Sequence, residues 1–328
     1  MKNIAVIGAG GWGLALGLLL NDEGHKVTFW CYDEREKNDI LQHRENKRCL
    51  PGIKIPLEVA FTTDMGQALE SADVAIIAVP SKAIRTTAKA MAPFIPEKAI
   101  VVNVSKGIEE ESLMRLSQVI EDVLPNNVVV LSGPSHAEEV ARHIPTTVVV
   151  SSNHMESAVE IQDLFMNKYF RVYTNEDLIG IELGGALKNV IALAAGIVEG
   201  IGYGDNTMAA LITRGMTEIA RLGIAMGGKP STFAGLTGIG DLIVTCTSGH
   251  SRNRRAGELL GQGYTIEEAM EKVNMVVEGV PTTKAGYALM KKYDVEMPIL
   301  NAIYAALFEK ASVAETIDAL MMRDKKNE

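Results

Sequence analysis

The sequence predicts a mostly parallel, doubly wound α/β sheet followed by an all-α domain. From the N-terminus to about residue 178, short runs rich in valine and isoleucine alternate with helical patterns. This alternation is typical of a parallel sheet that is covered by helices on both faces. Beyond that point the strand pattern disappears and only helical patterns follow. A chain of 328 residues has room for two domains, which we predict at residues 1–178 and 179–328.

The individual elements follow in chain order from the spacing of apolar residues. Short apolar runs predict the strands Asn3–Ile7, Lys26–Trp30, Val74–Val79, Ile100–Val104, Val128–Leu131, Thr147–Val150 and Phe170–Tyr173. Helical spacing in the first half predicts Ser81–Met91 and Leu113–Leu124. In the second half it predicts Ile181–Glu199, Thr207–Met226, Arg252–Leu260, Thr265–Lys272, Thr282–Lys292 and Pro298–Phe308.

Composition argues against several classes of function. The net charge is −9 and the chain has no long basic run, which argues against a nucleic-acid partner or an anionic-membrane role. The three cysteines, Cys31, Cys49 and Cys246, are widely spaced and form no CxxC pair. We therefore expect neither a disulfide framework nor a metal site.

The apolar segments do not predict membrane insertion. The longest apolar region contains Lys188, Asn189 and Glu199, so no charge-free stretch reaches spanning length. Glycines interrupt the N-terminal residues too often for a signal peptide. We expect a soluble, cytoplasmic protein.

A glycine-rich loop in the first domain predicts a dinucleotide site. The hexamer GAGGWG matches GxGxxG, follows the strand Asn3–Ile7 and opens the apolar helical run Leu14–Leu20. In a Rossmann-type domain Gly8 would allow the tight turn, Gly10 would let the backbone approach a pyrophosphate, and Gly13 would permit close helix packing. The N-terminus of the helix would offer its N–H groups to the phosphates.

The choice between NAD and NADP stays open at this level. The second strand runs into Asp33, whose carboxylate could accept a hydrogen bond from a ribose hydroxyl of NAD. Arg35 lies two residues further on and could contact a 2′-phosphate of NADP.

Ligands of a doubly wound sheet gather at the carboxyl ends of its strands. Three loops follow predicted strands at such ends, namely Val79–Ser81, Val104–Gly107 and Leu131–Ala137. Lys106 is therefore a candidate neighbour of the reactive end of the cofactor, with an ordinary surface lysine as the alternative. Gly133–Ser135 is a second candidate, with a simple turn before a helix as the alternative.

Lys188 and Asn189 interrupt an otherwise apolar helical run in the second half. Burying an ammonium group is costly, so a lysine in this setting needs a partner. Its neighbours at helical spacing are all small, which predicts the floor of a ligand pocket: Gly184, Gly185, Ala192, Ala195 and Gly196. The alternative is a lysine whose ammonium extends past the rim of the core into solvent.

The segment from Ser251 to Arg255 has the densest positive charge in this acidic chain. The planar guanidinium of arginine suits phosphate oxygens, and Asn253 could add a hydrogen bond. The alternative is a solvated start of a helix that is capped by Ser251.

Taken in order, these segments resemble the soluble bacterial NAD(P)-dependent glycerol-3-phosphate dehydrogenase family over nearly the full chain. The matching stretches are GAGGWG, RENKRCLPG (44–52), VSKGIE (104–109), SGPSHAEEV (132–140), ELGGALKNVIALAAGI around Lys188, TGIGDLIVTCTSGHSRNRR (237–255) and VVEGVPTT (276–283). Gly11 stands where family members often carry a small polar residue, and the basic residues they often carry near Tyr32 and Asp33 are absent, so the resemblance leaves the preference between NADPH and NADH open.

The resemblance implies an activity and a set of site residues. The implied reaction is reversible hydride transfer between NAD(P)H and dihydroxyacetone phosphate, which gives sn-glycerol 3-phosphate for glycerophospholipid synthesis by a homodimer. Lys188 matches the catalytic acid–base. The implied substrate residues are Lys106, Gly133, Ser135, Lys188, Asn189, Asp241, Ser251, Arg252 and Asn253. The implied cofactor residues are Gly8, Gly10, Gly11, Trp12, Gly13, Tyr32, Lys106, Ala137, Arg252, Val276 and Glu278.

Two other functions stay open. The chain could be another dehydrogenase of the same two-domain type that acts on a hydroxy acid or a sugar acid, because arginines also bind carboxylates. It could also be a non-catalytic sensor that binds a dinucleotide, although a sensor has no need of a lysine in an apolar helix.

Overall fold

The computed structural model describes residues 1–325, and residues 326–328, the end of the predicted second domain, lie outside the described residues. The predicted fold class is confirmed: an α/β part with a mostly parallel sheet precedes a helical part. The chain divides into two compact units. Unit 1 contains residues 1–106 and 114–178, and unit 2 contains residues 107–113 and those from 179 onward. Segment 107–113, which the sequence placed in the first domain, thus packs within the second unit.

Unit 1 contains one eight-stranded sheet with the strand order β3-β2-β1-β4-β5-β6-β7-β8. All neighbouring strands are parallel except β6 and β7. The strands are β1 Asn3–Ile7, β2 Lys26–Trp30, β3 Ala60–Thr62, β4 Val74–Ile77, β5 Ile100–Asn103, β6 Val128–Ser132, β7 Thr146–Ser152 and β8 Phe170–Thr174. The sequence missed β3, because a strand of three residues is too short to show an alternating pattern.

The helices of unit 1 cover both faces of this sheet. They are α1 Gly11–Asp22, α2 Glu34–His43, α3 Met65–Leu69, α4 Ile84–Met91, α5 Leu116–Glu121, α6 Ala137–Val140 and α7 Met155–Phe165. Alternate residues of β1 enter two separate apolar cores, with Ile4 and Val6 in one and Ala5 and Ile7 in the other. This two-sided burial explains why the central strands β4, β5 and β6 are almost continuously apolar. The predicted helix Leu113–Leu124 is shorter, since residues 113–115 are not helical and the chain turns at residues 122–123.

Unit 2 is helical and has a single large apolar core. Its helices are α8 Leu178–Ile201, α9 Asp205–Ala225, α10 Pro230–Phe233, α11 Asp241–Thr247, α12 Arg252–Gly261, α13 Ile266–Val273, α14 Gly279–Lys292, α15 Pro298–Phe308 and α16 Val313–Met321. A short π-helical turn at Leu236–Gly240 precedes α11. The sequence missed α10 and α11 because they lie in a glycine-rich stretch, and it also missed α16.

Helix α8 is the central helix of this core. Among residues 1–325 it is the one helix long and apolar enough to cross a membrane, yet that apolar stretch is completely buried inside the protein. A buried core helix meets the same length and composition criteria as a membrane span.

A buried glutamate ties α9 to α15. The carboxylate of Glu218, which is 3% exposed, accepts hydrogen bonds from the N–H groups of Ile299 (2.8 Å) and Leu300 (3.2 Å) at the start of α15. Burial raises the pKa of Glu218 to about 7, although the two backbone hydrogen bonds oppose this shift.

Candidate active site

The glycine loop of unit 1 has the geometry that the GxGxxG pattern requires. Gly8 adopts a φ of +116°, and a Cβ atom there would lie 2.7 Å from the carbonyl oxygen of Ala78. A Cβ atom on Gly13 would lie 2.2 Å from the carbonyl oxygen of Gly8, so helix α1 packs directly on the loop. By contrast, a Cβ atom on Gly10 would meet nothing within 4 Å. The loop is thus open at Gly10, where a phosphate group could approach the backbone.

The N-terminus of α1 is also free to bind an anion. Gly10 is the N-cap residue and no side chain caps the first N–H groups of the helix. Trp12 is half-buried and packs against the apolar core. The residues present therefore fit the pyrophosphate of a dinucleotide.

Asn46 is a supporting residue that sequence reasoning did not single out. Its side-chain Nδ2 donates to the carbonyl oxygen of Ala9 (3.0 Å), and its Oδ1 accepts from the N–H of Cys49 (3.0 Å). A Cβ atom on Gly11 would lie 2.6 Å from the carbonyl oxygen of Cys49. Segment 46–49 therefore holds the glycine loop closely and leaves no room for a side chain at Gly11.

The end of β2 does not decide between NAD and NADP. Asp33 is the N-cap of α2 and accepts a hydrogen bond from the N–H of Glu36 (2.8 Å). Tyr32 is 84% exposed and Arg35 is also exposed. All three side chains can reach solvent, so their positions favour neither the ribose hydroxyl of NAD nor the 2′-phosphate of NADP.

The structure brings together three residues that the sequence predicted at the ends of β5 and β6. Lys106 Nζ donates to the carbonyl oxygen of Gly133 (2.9 Å), and Ser135 Oγ donates to the same oxygen (2.9 Å). Gly133 has a φ of +127°, a conformation that favours glycine. Ala137 begins α6 two residues after Ser135. These residues form a compact polar group at one end of the sheet.

Lys188 is buried in unit 2 and is held by two partners on α11. The residue is only 6% exposed, so its ammonium does not extend into solvent and the rim interpretation is wrong. Nζ lies 2.5 Å from Oδ1 of Asp241, which is 1% exposed, and 2.6 Å from Oγ1 of Thr245. Removing both charges from water is costly, so a buried ion pair of this kind is stable only when its other hydrogen-bonding groups also have partners.

Thr245 provides one of these hydrogen bonds and was missed by sequence reasoning. Its Oγ1 donates to the carbonyl oxygen of Asp241 (2.6 Å), so its lone pairs face the ammonium of Lys188. The signal that could have revealed it is the spacing of four residues from Asp241, which places both side chains on one face of α11.

Four of the five small residues on the lysine face of α8, namely Gly184, Ala192, Ala195 and Gly196, do not form the floor of a pocket, and for them this prediction is wrong. A Cβ atom on Gly184 would lie 2.7 Å from the carbonyl oxygen of Thr237, and one on Gly196 would lie 1.9 Å from that of Arg254. Ala192 and Ala195 are fully buried in the core. Gly184 and Gly196 are small because neighbouring backbone packs against them, and at Gly196 this brings α12 close to α8.

The arginine segment at the start of α12 has several separate roles. Ser251 caps the helix, since its Oγ accepts a hydrogen bond from the N–H of Arg254 (3.2 Å). Arg254 forms an ion pair with Glu199 of α8 (3.1 Å). Arg252 and Arg255 are exposed, and neither makes an ion pair with another residue of the described chain. The alternative interpretation, a solvated helix start that is capped by Ser251, is therefore correct for part of this segment. The guanidinium of Arg252 is still available to bind an anion.

Asn253 connects two other predicted site segments. Its Nδ2 donates to Oδ1 of Asn189 (3.0 Å), and its Oδ1 accepts from the N–H of Gly279 (2.8 Å). Asn189 and Asn253 are 5% and 8% exposed. Glu278 is the N-cap of α14, directly before Gly279, and Val276 is 36% exposed. Asn189, Asn253 and the 276–279 segment thus lie together in unit 2.

The thiol of Cys246, which lies near Lys188, is not a reactive nucleophile. Burial raises the pKa of the Cys246 thiol to about 12, so the group is neutral at physiological pH. Among residues 1–325, no group of three or more histidine, cysteine, aspartate or glutamate side chains is placed to hold a metal ion.

Comparison with known proteins identifies the family. The model of the NAD-dependent glycerol-3-phosphate dehydrogenase N-terminus matches residues 3–158, and that of the C-terminus matches residues 177–318. A glycerol-3-phosphate dehydrogenase [NAD(P)+] from Bacillus subtilis (strain 168) is 57% identical over 332 aligned positions, covering 100% of this chain and 96% of the relative. The enzyme of that name from Fusobacterium nucleatum is 54% identical and covers 100% of this chain and 99% of its own.

A solved structure agrees with these relatives. The crystal structure of glycerol-3-phosphate dehydrogenase from Coxiella burnetii superposes with a TM-score of 0.95 at 37% identity, covering 98% of this chain and 99% of the other. The family models together span most of the described residues, and the relatives align from end to end. The chain therefore belongs to the NAD-dependent glycerol-3-phosphate dehydrogenase family.

Proposed function

We propose that this protein is an NAD(P)-dependent glycerol-3-phosphate dehydrogenase that interconverts dihydroxyacetone phosphate and sn-glycerol 3-phosphate. Full-length relatives that are 54–57% identical bear this name. The product is a precursor for glycerophospholipids. The observation that carries the chemistry is the buried ammonium of Lys188, which is held between Asp241 and Thr245.

Unit 1 holds the dinucleotide. The loop of Gly8, Gly10, Gly11, Trp12 and Gly13 would hold its phosphates at the open backbone of Gly10 and at the N-terminus of α1, while Gly8 provides the turn and Gly13 the close helix packing. Bound NADH or NADPH supplies the hydride. The family resemblance supports six further residues as candidates for cofactor binding: Tyr32, Lys106, Ala137, Arg252, Val276 and Glu278.

Lys188 acts at the substrate oxygen. Reduction of the ketone adds a hydride to carbon while negative charge develops on oxygen. An ammonium donor next to that oxygen stabilises the charge and delivers the proton. Asp241 compensates the charge of Lys188 and Thr245 fixes its direction, so the donor is pre-organised before the substrate binds.

Phosphate recognition comes from the start of α12. Arg252 provides an exposed guanidinium, and Ser251, Asn253 and Lys106 are further candidates for phosphate binding, while Asn189 belongs with Lys188 to the predicted substrate residues of α8. Binding energy at the phosphate is remote from the carbonyl, and it fixes the orientation of the reacting carbon. Gly133 and Ser135 place the Lys106 side chain through their shared hydrogen-bonding group.

The same proposal covers location and assembly. We infer a cytoplasmic enzyme that acts as a homodimer and does not insert into membranes. The complete burial of the apolar stretch of α8 supports the absence of insertion.

An assay with two ketones and two cofactors tests this function. Dihydroxyacetone phosphate and a 2-keto acid are each offered with NADH and with NADPH, and the loss of reduced-nicotinamide absorbance is followed. We expect turnover with the triose phosphate and none with the keto acid. Preference for the keto acid would instead identify a hydroxy-acid dehydrogenase. Dinucleotide binding without turnover of either ketone would identify a sensor.

A further inference from the structure

Two backbone groups hold the side chain of Asn46, and together they leave one orientation for its amide. Its Nδ2 lies 3.0 Å from the carbonyl oxygen of Ala9, which can only accept a hydrogen bond. Its Oδ1 lies 3.0 Å from the N–H of Cys49, which can only donate. Asn46 is 5% exposed, so water cannot readily replace either partner. The residue therefore links segment 46–49 to the glycine loop in one defined way.

The hydrogen bond to Ala9 also fixes the direction of the next backbone N–H group. In a planar trans peptide the C=O of Ala9 and the N–H of Gly10 point to opposite sides. Since the carbonyl oxygen faces Asn46, the N–H of Gly10 faces away from Asn46. Within residues 1–325 this N–H donates to no acceptor. The link to Asn46 thus leaves a free backbone donor in the glycine loop.

The segment that carries Asn46 packs on the loop without filling the place of a phosphate. The N–H of Leu50 donates to the carbonyl oxygen of Asn46 (2.9 Å), so the segment turns back on itself. The carbonyl oxygen of Cys49 fills the space beside Gly11, where a Cβ atom would lie 2.6 Å away. The space beside Gly10 stays open, because a Cβ atom there would meet nothing within 4 Å.

We propose that Asn46 is a positioning residue for the dinucleotide, which holds the Ala9 carbonyl away from the pyrophosphate and keeps the N–H of Gly10 available to it. Glycine adopts many backbone conformations, so without this hydrogen bond the peptide between Ala9 and Gly10 can rotate. A rotated peptide would present a carbonyl oxygen, which repels an anion, in place of a donor. The inference rests on the dinucleotide site of the proposed function and does not depend on which ketone is reduced.

Asn46→Leu tests this role, because leucine has a similar branched shape but forms neither hydrogen bond and adds no charge. We expect the Kd of NADH, measured by fluorescence titration, to rise about 10- to 100-fold. ADP-ribose contains the same pyrophosphate but lacks the nicotinamide, so its Kd should rise by a similar factor. The KM for dihydroxyacetone phosphate at saturating NADH should stay close to that of wild type, because the loop does not contact the ketone.

Asn126→Leu is the matched control, because Asn126 is another asparagine of unit 1 that is 5% exposed. Its Nδ2 donates to three backbone carbonyl oxygens, those of Pro96 (2.9 Å), Glu97 (3.2 Å) and Ala99 (2.9 Å). It precedes β6 at the amino ends of the parallel strands, whereas the glycine loop follows β1 at their carboxyl ends. This variant should lower the melting temperature without changing the Kd of NADH.

Asn46→Asp provides a second variant if the leucine variant does not fold. Its carboxylate can still accept from the N–H of Cys49 but cannot donate to Ala9, so the Kd of NADH should again rise. The added charge also repels the phosphates. That part of the effect should diminish at high salt, whereas the part that comes from the altered loop should persist.

Three results would overturn the inference. An unchanged Kd of NADH in Asn46→Leu would show that the Ala9 carbonyl needs no partner. A rise that is confined to Asn46→Asp and disappears at high salt would show charge repulsion alone. A rise for NADH but not for ADP-ribose would place the effect at the nicotinamide. A wild-type protein that binds NADH but reduces no ketone would instead refute the proposed function, and the binding measurements would still test Asn46.

Discussion

Replacing Lys188 with methionine should separate its structural role from its chemical role. Methionine retains most of the side-chain volume but removes the ammonium, so Asp241 is left 1% exposed without its cation. Breaking a buried pair in this way typically costs about 3–5 kcal/mol of the free energy of unfolding. For a unit of this size that loss corresponds to a fall of about 10 °C in melting temperature. Scanning calorimetry measures it directly.

A double variant tests the source of this loss. In Lys188→Met/Asp241→Asn the buried carboxylate that has lost its cation is replaced by a neutral amide, so most of the stability should return. Catalysis should not return in the double variant, since the proton donor is still missing, and the expected loss is about 10²- to 10⁴-fold in kcat.

Two results would refute this reasoning. An unchanged melting temperature in Lys188→Met would mean that the contact of Lys188 with Asp241 does not stabilise the fold. Recovery of turnover together with stability in the double variant would mean that Lys188 acts only as a structural counter-ion. Binding of NADH, followed by its fluorescence, should stay close to wild type in both variants because the glycine loop belongs to unit 1.

Three further predictions concern other parts of the molecule. Arg252→Ala should raise KM for dihydroxyacetone phosphate by about 10- to 100-fold, as expected for a charged hydrogen bond, whereas Arg255→Ala should have a smaller effect in the same assay. Gly10→Ala should weaken dinucleotide binding without loss of stability, since a Cβ atom there meets nothing within 4 Å. Gly13→Ala should lower the melting temperature, because its Cβ atom would lie 2.2 Å from a carbonyl oxygen. Equal melting temperatures of the two variants would contradict this prediction. Because the pKa of Glu218 is raised from 4.5 to about 7, its contribution to stability is fully present below pH 4.5 and is lost as the pH rises through 7. The unfolding free energy of wild type relative to Glu218→Gln should therefore fall by about 3 kcal/mol over this range, and a pH-independent difference in urea denaturation would contradict it.

The sequence predicted the parts of the fold that local patterns encode. Short apolar runs revealed seven of the eight strands, and in the central strands these runs are nearly continuous because a buried parallel strand is apolar on both faces. The sequence did not predict strand β3 or helix α16. Strand β3 has only three residues, and α16 mixes apolar and polar residues near the end of the chain. Loop position after a strand was enough to nominate Lys106 and Gly133, which the structure joins by a hydrogen bond.

Contacts between distant segments were harder to predict. The lone lysine in an apolar helix pointed to a partner, but Thr245 became visible only when α11 was seen to lie beside α8. The small residues of α8 suggested an open space beside Lys188. At Gly184 and Gly196 that space is filled by the backbone of neighbouring segments. Spacing along a helix shows which residues share a face, but it does not show what occupies the volume beside that face.

The chemical role of Lys188 can be tested most directly by rescue in single-turnover experiments. Lys188→Ala is mixed with saturating NADH and dihydroxyacetone phosphate, and hydride transfer is followed by stopped-flow absorbance with and without ethylamine. Hydride transfer should be slowed by about 10²- to 10⁴-fold and should accelerate in proportion to the concentration of ethylammonium, which can occupy the space of the missing side chain. A rate equal to that of wild type in the absence of amine would show that Lys188 is not the proton donor.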